Sequence, residues 1–89
     1  MTLKLRDGVS IADTDYGVAL LDEDSGQYWN LNPTGALALR TLLGGGTTAQ
    51  VVRELTEQYA VDVETAGKDV EELLGELYGA GLVKDQAAS

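Results

Sequence analysis

The first third of the chain alternates short apolar runs with polar turns, a pattern typical of β-strands. Val9 to Ala12, Tyr16 to Leu21 and Gln27 to Leu31 are rich in β-branched, aromatic and aliphatic residues. Asp13-Thr14-Asp15 and the acidic segment from Asp22 to Gly26 separate these runs and have the composition of turns. Because the connections are short, the three segments predict an antiparallel meander.

The third predicted strand carries two aromatic residues, and strand alternation decides which of them meets the core. Gln27, Trp29 and Leu31 share one face, while Tyr28 and Asn30 share the other. We expect Trp29 and Leu31 to pack in the core and Tyr28 to lie at an exposed position. This strand is the last of the meander, so its outer edge is expected to be unpaired.

The remainder of the chain has apolar residues at helical spacing and predicts three helices. Asn32 is placed to cap the first helix ahead of Pro33, and a run of three glycines ends it. Thr47 and Gln50 match a capping box at the start of the second helix, and Asp62 is placed to cap the third. The apolar positions expected to face the core are Ala36, Leu37, Leu39, Leu42, Leu43, Val51, Val52, Leu55, Tyr59, Val63, Ala66, Val70, Leu73, Leu74, Leu77 and Tyr78.

Length and composition predict one small domain. The domain spans all 89 residues, with an ordered core over about residues 3–84, and Leu82 and Val83 are expected to return to the core. Hydrophobic residues make up 44% of the chain and fall in periodic runs, which a disordered acidic segment would lack. The predicted fold class is α+β, a three-stranded antiparallel sheet followed by three helices.

The net charge of −9, from 15 acidic and 6 basic residues, disfavours anionic partners. Beyond Tyr59, seven acidic residues face only Lys68 and Lys84. A nucleic-acid binder needs clustered Lys and Arg, so we expect no nucleic acid and no lipid headgroups as partners. No apolar run approaches the roughly 18 residues needed to span a bilayer, and the amino-terminal segment lacks an apolar signal core. We expect a soluble, cytoplasmic protein.

The chain contains no histidine and no cysteine, so the commonest general base, the strongest thiol nucleophile and the soft metal ligands are absent. The segment from Asp22 to Gly26 resembles a calcium loop only superficially, because its glycine falls one position early. The glycines at 44–46 are not followed by Lys-Ser or Lys-Thr, so they predict a helix end and not a phosphate site. We expect a binding module without metal or cofactor, and not an enzyme.

Three carboxylates recur along one flank of the last predicted helix. Asp69, Glu72 and Glu76 stand at i, i+3 and i+7, next to Leu73 and Leu77. Two interpretations are open. The stripe is either an ordinary solvated face or the rim of a site that receives Lys or Arg side chains from a bound peptide.

The order and spacing of these signals from Val9 to Val83 resemble the PqqD-like family, small winged-helix domains that recognise the leader peptides of ribosomally made, modified peptides. The most specific match runs from Gly26 to Gly35 and includes Asn-Pro-Thr-Gly, as in the free-standing recognition proteins of lasso-peptide pathways. The other matching segments are Leu20-Leu21-Asp22, Leu42-Leu43-Gly44-Gly45, and Asp69-Val70 through Leu77 to Gly81-Leu82-Val83.

The resemblance implies a winged helix-turn-helix fold that binds a leader peptide by β-augmentation. The leader would add to the edge of the third strand, with main-chain bonds from Gln27, Tyr28, Trp29, Asn30 and Leu31. Apolar leader side chains, which include a Tyr, a Pro and a Leu in the lasso family, would enter pockets assigned to Tyr28, Asn30, Val70, Leu73 and Leu77. Asp69, Glu72 and Glu76 would line the rim. The implied partners are the precursor leader peptide, a separate leader protease and a macrolactam-forming cyclase.

Two other classes of protein remain open from the residues alone. A winged-helix transcription factor has the same architecture, but its recognition helix needs basic and amide side chains. Val63 to Tyr78 offers only Lys68 against six acidic residues counted from Asp62, which disfavours this class. A protein–protein adaptor would use the same strand edge for an unrelated partner.

Overall fold

Five strands and three helices make up residues 2–86, the part of the chain that the computed structural model describes. The elements in chain order are β1 (Thr2–Leu5), β2 (Val9–Thr14), β3 (Gly17–Asp22), β4 (Tyr28–Leu31), α1 (Pro33–Leu43), α2 (Thr48–Tyr59), α3 (Val63–Gly79) and β5 (Val83–Gln86).

The strands β2, β3 and β4 form the antiparallel three-stranded sheet that the sequence predicts, followed by the three predicted helices. The central strand is β3, where Leu20 lies opposite both Ile11 on β2 and Trp29 on β4. Val18 and Leu20 are fully buried, so their face of the sheet packs against the helices. Trp29 is half-buried against the core and Tyr28 is exposed, as the alternation predicts.

Gly17 allows β4 to lie close against the start of β3. Its φ of +150° is a conformation that other residues rarely adopt. A Cβ at this position would overlap the carbonyl oxygen of Leu31 at the end of β4. The absence of a side chain at Gly17 therefore fixes where β4 ends and α1 begins.

A second, two-stranded sheet joins the two ends of the described chain and was not predicted. Strand β1 pairs antiparallel with β5, with Leu5 opposite Val83. Leu82 and Val83 are buried, so the predicted return to the core is confirmed. The four residues of β1 alternate between polar and apolar, but the strand it pairs with stands at the opposite end of the sequence, so no turn signal marks the pair. The strand β5 extends to Gln86, and residues 87–89 lie outside the described part of the chain.

The three helices begin at the caps that the sequence predicts. The Asn32 side-chain oxygen accepts the backbone N–H of Gly35 at 2.8 Å. Thr47 accepts from the backbone of Gln50 at 3.1 Å, and the Gln50 side chain accepts from the backbone of Thr47 at 3.0 Å. Asp62 accepts a backbone N–H in the first turn of α3 at 2.7 Å. Caps of this kind stabilise a helix by about 0.5–2 kcal/mol each.

The core lies between the helices and the inner face of the three-stranded sheet. It draws on every helix and on both sheets, and burial of each large aliphatic side chain contributes about 1.5–3 kcal/mol. The buried apolar residues are Leu3, Val18, Leu20, Ala36, Ala38, Leu39, Leu42, Val51, Leu55, Ala66, Val70, Leu77, Leu82 and Val83.

The apolar stripes on α2 and α3 are narrower than the sequence predicts. Tyr59, Val63 and Tyr78 were expected to face the core, but all three are exposed. Val63 begins α3 and is 65% exposed, and the first buried residue of this helix is Ala66. The Tyr78 hydroxyl donates to the carboxylate of Asp85 on β5, and this hydrogen bond raises the pKa of Tyr78. None of the helices within residues 2–86 combines the length and apolar character needed to cross a membrane.

Candidate functional site

A groove of about 350 Å³ runs between the end of β4 and the helix α3, and we call it the β4–α3 groove. Four elements contribute to it: β4, the start of α1, the end of α2 with the loop that follows, and the middle of α3. Its lining residues are Asn30, Leu31, Asn32, Thr34, Gly35, Ala38, Leu55, Val61, Asp69, Val70, Glu72, Leu73 and Glu76.

The floor of the β4–α3 groove is apolar and its walls are polar. Leu31, Leu55 and Val70 belong to the core or pack against it, so the floor is rigidly supported. Asn30, Asn32 and Thr34 stand on the β4 side, and acidic side chains stand on the α3 side. A groove of this kind suits a chain that is apolar on one side and polar along its backbone.

The lining residues of the groove include three carboxylates and no cation. Asp69, Glu72 and Glu76 are exposed, and they follow one another along α3 at spacings of three and four residues. Like charges at these spacings destabilise a helix by about 0.2–0.5 kcal/mol per pair. The acidic wall is therefore not explained by helix stability.

The outer edge of β4 is free to accept another strand. Asp22 donates its backbone N–H to the carbonyl of Gln27 at 2.9 Å. Hydrogen-bonded and non-hydrogen-bonded pairs alternate along an antiparallel ladder, so Trp29 and Leu31 also direct their backbone groups toward β3. By the same alternation, Tyr28 and Asn30 direct their N–H and C=O groups away from β3. In the described part of the chain, β4 pairs with β3 and with no other strand.

The sequence at the start of α1 keeps the groove open. Asn32 caps α1 directly after β4, and its side-chain oxygen also accepts the hydroxyl of Thr34 at 2.9 Å. Gly35 and Ala38 then place two small residues on the side of α1 that faces the groove. A Cβ on Gly35 would lie 3.2 Å from the Asn32 side-chain oxygen, so even alanine would crowd the cap.

The structure brings together seven of the eleven residues predicted to bind peptide. The residues that line the β4–α3 groove are Asn30, Leu31, Asp69, Val70, Glu72, Leu73 and Glu76.

The other four predicted residues lie outside the groove. Tyr28 is 66% exposed on the face of the sheet away from the core, and of the two β4 residues on that face only Asn30, which is nearer to α1, lines the groove. Trp29 packs against the core. The carbonyl of Gln27 is already bonded to Asp22. Leu77 is only 2% exposed and belongs to the core beneath α3, one turn past Leu73.

Six lining residues were not predicted as site residues. They are Asn32, Thr34, Gly35, Ala38, Leu55 and Val61. The Asn-Pro-Thr-Gly segment could have indicated Asn32, Thr34 and Gly35. A helix that starts directly after a strand, without a linker, must begin beside the end of that strand. Leu55 and Val61 give no such signal, since only the packing of α2 against α3 brings them to the groove.

The described residues 2–86 hold no cluster of three or more acidic side chains placed to bind a metal ion. The β4–α3 groove therefore offers shape, apolar surface, backbone hydrogen-bonding groups and negative charge. These are properties that recognise an extended peptide.

Comparison with known proteins agrees with this geometry. The sequence profile of the PqqD family, coenzyme PQQ synthesis protein D, matches residues 17–83. A lasso peptide synthetase B1 complexed with the leader peptide has a TM-score of 0.88 and 40% identity, covering 96% of this chain and 100% of that chain. TbiB1 in complex with the TbiA(beta) leader peptide has a TM-score of 0.81 and 28% identity, covering 96% and 99%. A search of curated proteins gives no match. Because the profile spans well over half of its residues, the chain belongs to the PqqD family.

Proposed function

We propose that the chain binds the leader peptide of a ribosomally synthesised lasso-peptide precursor and presents it to the enzymes that process it. The leader adds as an extended strand to the outer edge of β4 and lies in the β4–α3 groove. The observation that carries this proposal is the open edge of β4 standing directly beside an apolar groove. The two similar solved structures support it, since each is a complex with a leader peptide.

Backbone hydrogen bonds hold the leader in register without reading its sequence. Tyr28 and Asn30 each offer one N–H and one C=O at the open edge of β4. Each bond contributes a net of about 0.5–1.5 kcal/mol. Ordering a flexible peptide costs about 2–5 kcal/mol, so these bonds alone give weak binding.

Apolar side chains of the leader supply the specific affinity. Alternate residues of an added strand face the groove, where Leu31, Val70 and Leu73 form apolar surface. Full burial of one aliphatic or aromatic side chain contributes about 1.5–3 kcal/mol, so two or three such residues outweigh the ordering cost. The Tyr, Pro and Leu that the family resemblance implies for lasso leaders have this apolar character.

The acidic wall of the groove favours leaders with a basic side chain beside α3. Asp69, Glu72 and Glu76 are exposed, so their attraction acts mainly on the rate of encounter and weakens as salt is added. The chain itself contributes no catalytic side chain in this proposal. A separate leader protease and a macrolactam-forming cyclase act on the peptide while it is held, and simultaneous binding of leader and protease raises their local concentration.

A fluorescence-anisotropy titration tests the proposal. The labelled ligand is the leader of the precursor encoded beside this gene, and the control is a scrambled leader of identical composition. We expect saturable binding of the native order, with a Kd of about 1 μM or tighter, and at least about tenfold weaker binding of the scrambled peptide. Equal binding of the two peptides, or no binding of either, would overturn the proposal and favour an adaptor for an unrelated partner.

A further inference from the structure

One whole face of the three-stranded sheet carries no charged residue, although the chain has 15 acidic and 6 basic residues. This is the side opposite the core, and we call it the outer face. Its residues are Ser10, Ala12, Thr14, Gly17, Ala19, Leu21, Tyr28 and Asn30. Each of them is exposed or half-buried, so no other described element covers the outer face.

The outer face carries small side chains in its middle and an aromatic residue toward one end. Ala12 and Ala19 leave its middle without bulk, and Gly17 does the same at one end, while Leu21 and Tyr28 stand side by side in a directly opposite pair. Leu21 is 38% exposed, and Tyr28 is more exposed still. Small ligands bind in concave pockets, whereas an exposed, uncharged sheet surface with an aromatic residue fits the surface of another protein.

Acidic turns border the outer face at both ends of the sheet. Asp15 lies in the β2–β3 turn and Glu23 in the β3–β4 turn, and both are exposed. A second copy of this chain would bring like charges together, at a net charge of −9 per copy. A partner that complements this surface has an uncharged contact patch flanked by Lys and Arg.

The outer face is continuous with the leader that β4 is proposed to bind. Side chains of an added strand alternate between faces, so every second leader residue stands on the outer side beside Tyr28 or Asn30. Two six-residue strands and the four-residue β4 present roughly 250 Å², well below the roughly 800 Å² per partner of a stable interface. The leader strand widens this surface, so a partner that touches both gains contact area.

We infer that the outer face docks the leader protease, and that this enzyme contacts the outward side chains of the leader at the same time. The inference rests on the proposed function. It makes the leader part of the docking surface, so the enzyme binds the leader-loaded chain more tightly than the free chain. By linkage, the enzyme raises the affinity of the chain for the leader by the same factor.

The test measures binding of the chain to the immobilised leader protease of the same pathway, with and without saturating leader. We expect the leader to tighten protease binding about tenfold or more. Ala12→Lys and Leu21→Lys place a charge on the outer face, away from the groove, and each should weaken protease binding about tenfold or more. Gln58→Lys is the control, because it adds the same positive charge at an exposed position on α2, outside the sheet. This variant should bind the protease as tightly as the wild type.

Leader affinity is measured first for every variant by anisotropy, and it should stay within about twofold of the wild type. If the wild type fails to bind leader at this stage, the proposed function is overturned. Because this measurement contains no protease, that outcome is distinct from a failure of docking. Ala12 is exposed on an edge strand, so Ala12→Lys tests the inference even if Leu21→Lys does not fold. Protease binding by Ala12→Lys that equals the wild type would overturn the inference.

Discussion

The guanidinium group of Arg6 lies 2.9 Å from the carboxylate of Asp22, and this pair joins the end of β1 to the end of β3. Arg6 also donates through its Nε to the carbonyl of Gly81, and its backbone N–H donates to Leu82 at 2.9 Å. One residue therefore connects both sheets and the segment that leads into β5. Burial of Asp22 opposes its ionisation, but the backbone N–H of Asp24 and the Arg6 side chain outweigh this, and the pKa of Asp22 lies below its ordinary value.

The Arg6–Asp22 pair should stabilise the fold only where Asp22 is ionised. Because the folded-state pKa is lowered, the stabilisation is present above the ordinary value of 3.8 and is lost as the pH falls below it. We expect Asp22→Asn to lower the urea midpoint at neutral pH. The difference from the wild type should shrink as the pH falls toward about 2.

Urea titrations across this pH range check the prediction. Glu23→Gln is the matched control, because Glu23 is the next residue on the same turn and is exposed. Asp62 also has a lowered pKa, through its backbone hydrogen bond from Thr65, and it adds the same pH dependence to the wild type and to both variants. A difference between Asp22→Asn and the wild type that stays constant down to low pH would contradict the assignment.

Gly17→Ala should destabilise the protein and displace β4. The new Cβ would overlap the carbonyl of Leu31 in a backbone conformation that alanine rarely adopts. We expect a loss of about 1–3 kcal/mol of unfolding free energy and weaker leader binding. Gly75→Ala is the control, because its Cβ meets nothing within 4 Å on α3, and it should stabilise the helix by about 0.5–1 kcal/mol. Equal unfolding midpoints for the two variants would refute the close approach of β4 to Gly17.

Leu73→Ala should weaken leader binding, and Leu74→Ala should not. Both side chains are half-buried on α3, but only Leu73 lines the β4–α3 groove. Loss of one apolar contact surface predicts about a tenfold rise in Kd for Leu73→Ala and less than about a twofold change for Leu74→Ala. Anisotropy titrations measure the affinities, and urea unfolding shows that both variants are folded. Equal affinities would place the leader outside the groove.

Glu72→Gln should raise stability and slow leader association. Glu72 stands three residues after Asp69, four before Glu76 and four after Lys68. Its removal relieves two like-charge pairs and loses one attraction, each of about 0.2–0.5 kcal/mol, so the net effect is a small gain in stability. Its charge also faces the groove, so a basic leader should associate more slowly with the variant, and the difference should vanish at high salt.

The neighbouring variant Glu71→Gln separates these two effects. Glu71 does not line the groove, and it stands three residues after Lys68, so its removal loses an attraction and not a repulsion. We expect Glu71→Gln to be slightly less stable than the wild type and to bind leader at the wild-type rate. Stopped-flow association and urea unfolding measure both quantities. A slower association for Glu71→Gln than for Glu72→Gln would show that the acidic wall of the groove does not attract the leader.

Features determined by neighbouring residues were predictable from the sequence. The caps at Asn32, Thr47 and Asp62 each need only a hydrogen bond to the next helical turn, and all three are present. Helical spacing likewise put Asp69 and Leu73 on one side of α3, and both line the groove.

Features that depend on tertiary contacts were not predictable in the same way. The β1–β5 sheet joins opposite ends of the described chain, and no short window contains both strands. Leu77 matches the same apolar pattern as Leu73, but the angle at which α3 packs buries Leu77 and opens Leu73 to the groove. The spacing of apolar residues in the sequence predicts which side of a helix each one occupies. How deeply each one is buried depends on how the helix packs against the rest of the fold.

The pairing of β1 with β5 sets how this domain connects to other polypeptides. Thr2 and Gln86 are opposite each other in the ladder, so the chain enters and leaves the domain at one point. A linker of a given length would therefore hold a fused enzyme at nearly the same distance from the groove whether it is joined near Thr2 or near Gln86. The domain can also be inserted within a loop of a larger protein without separating the two sides of that loop.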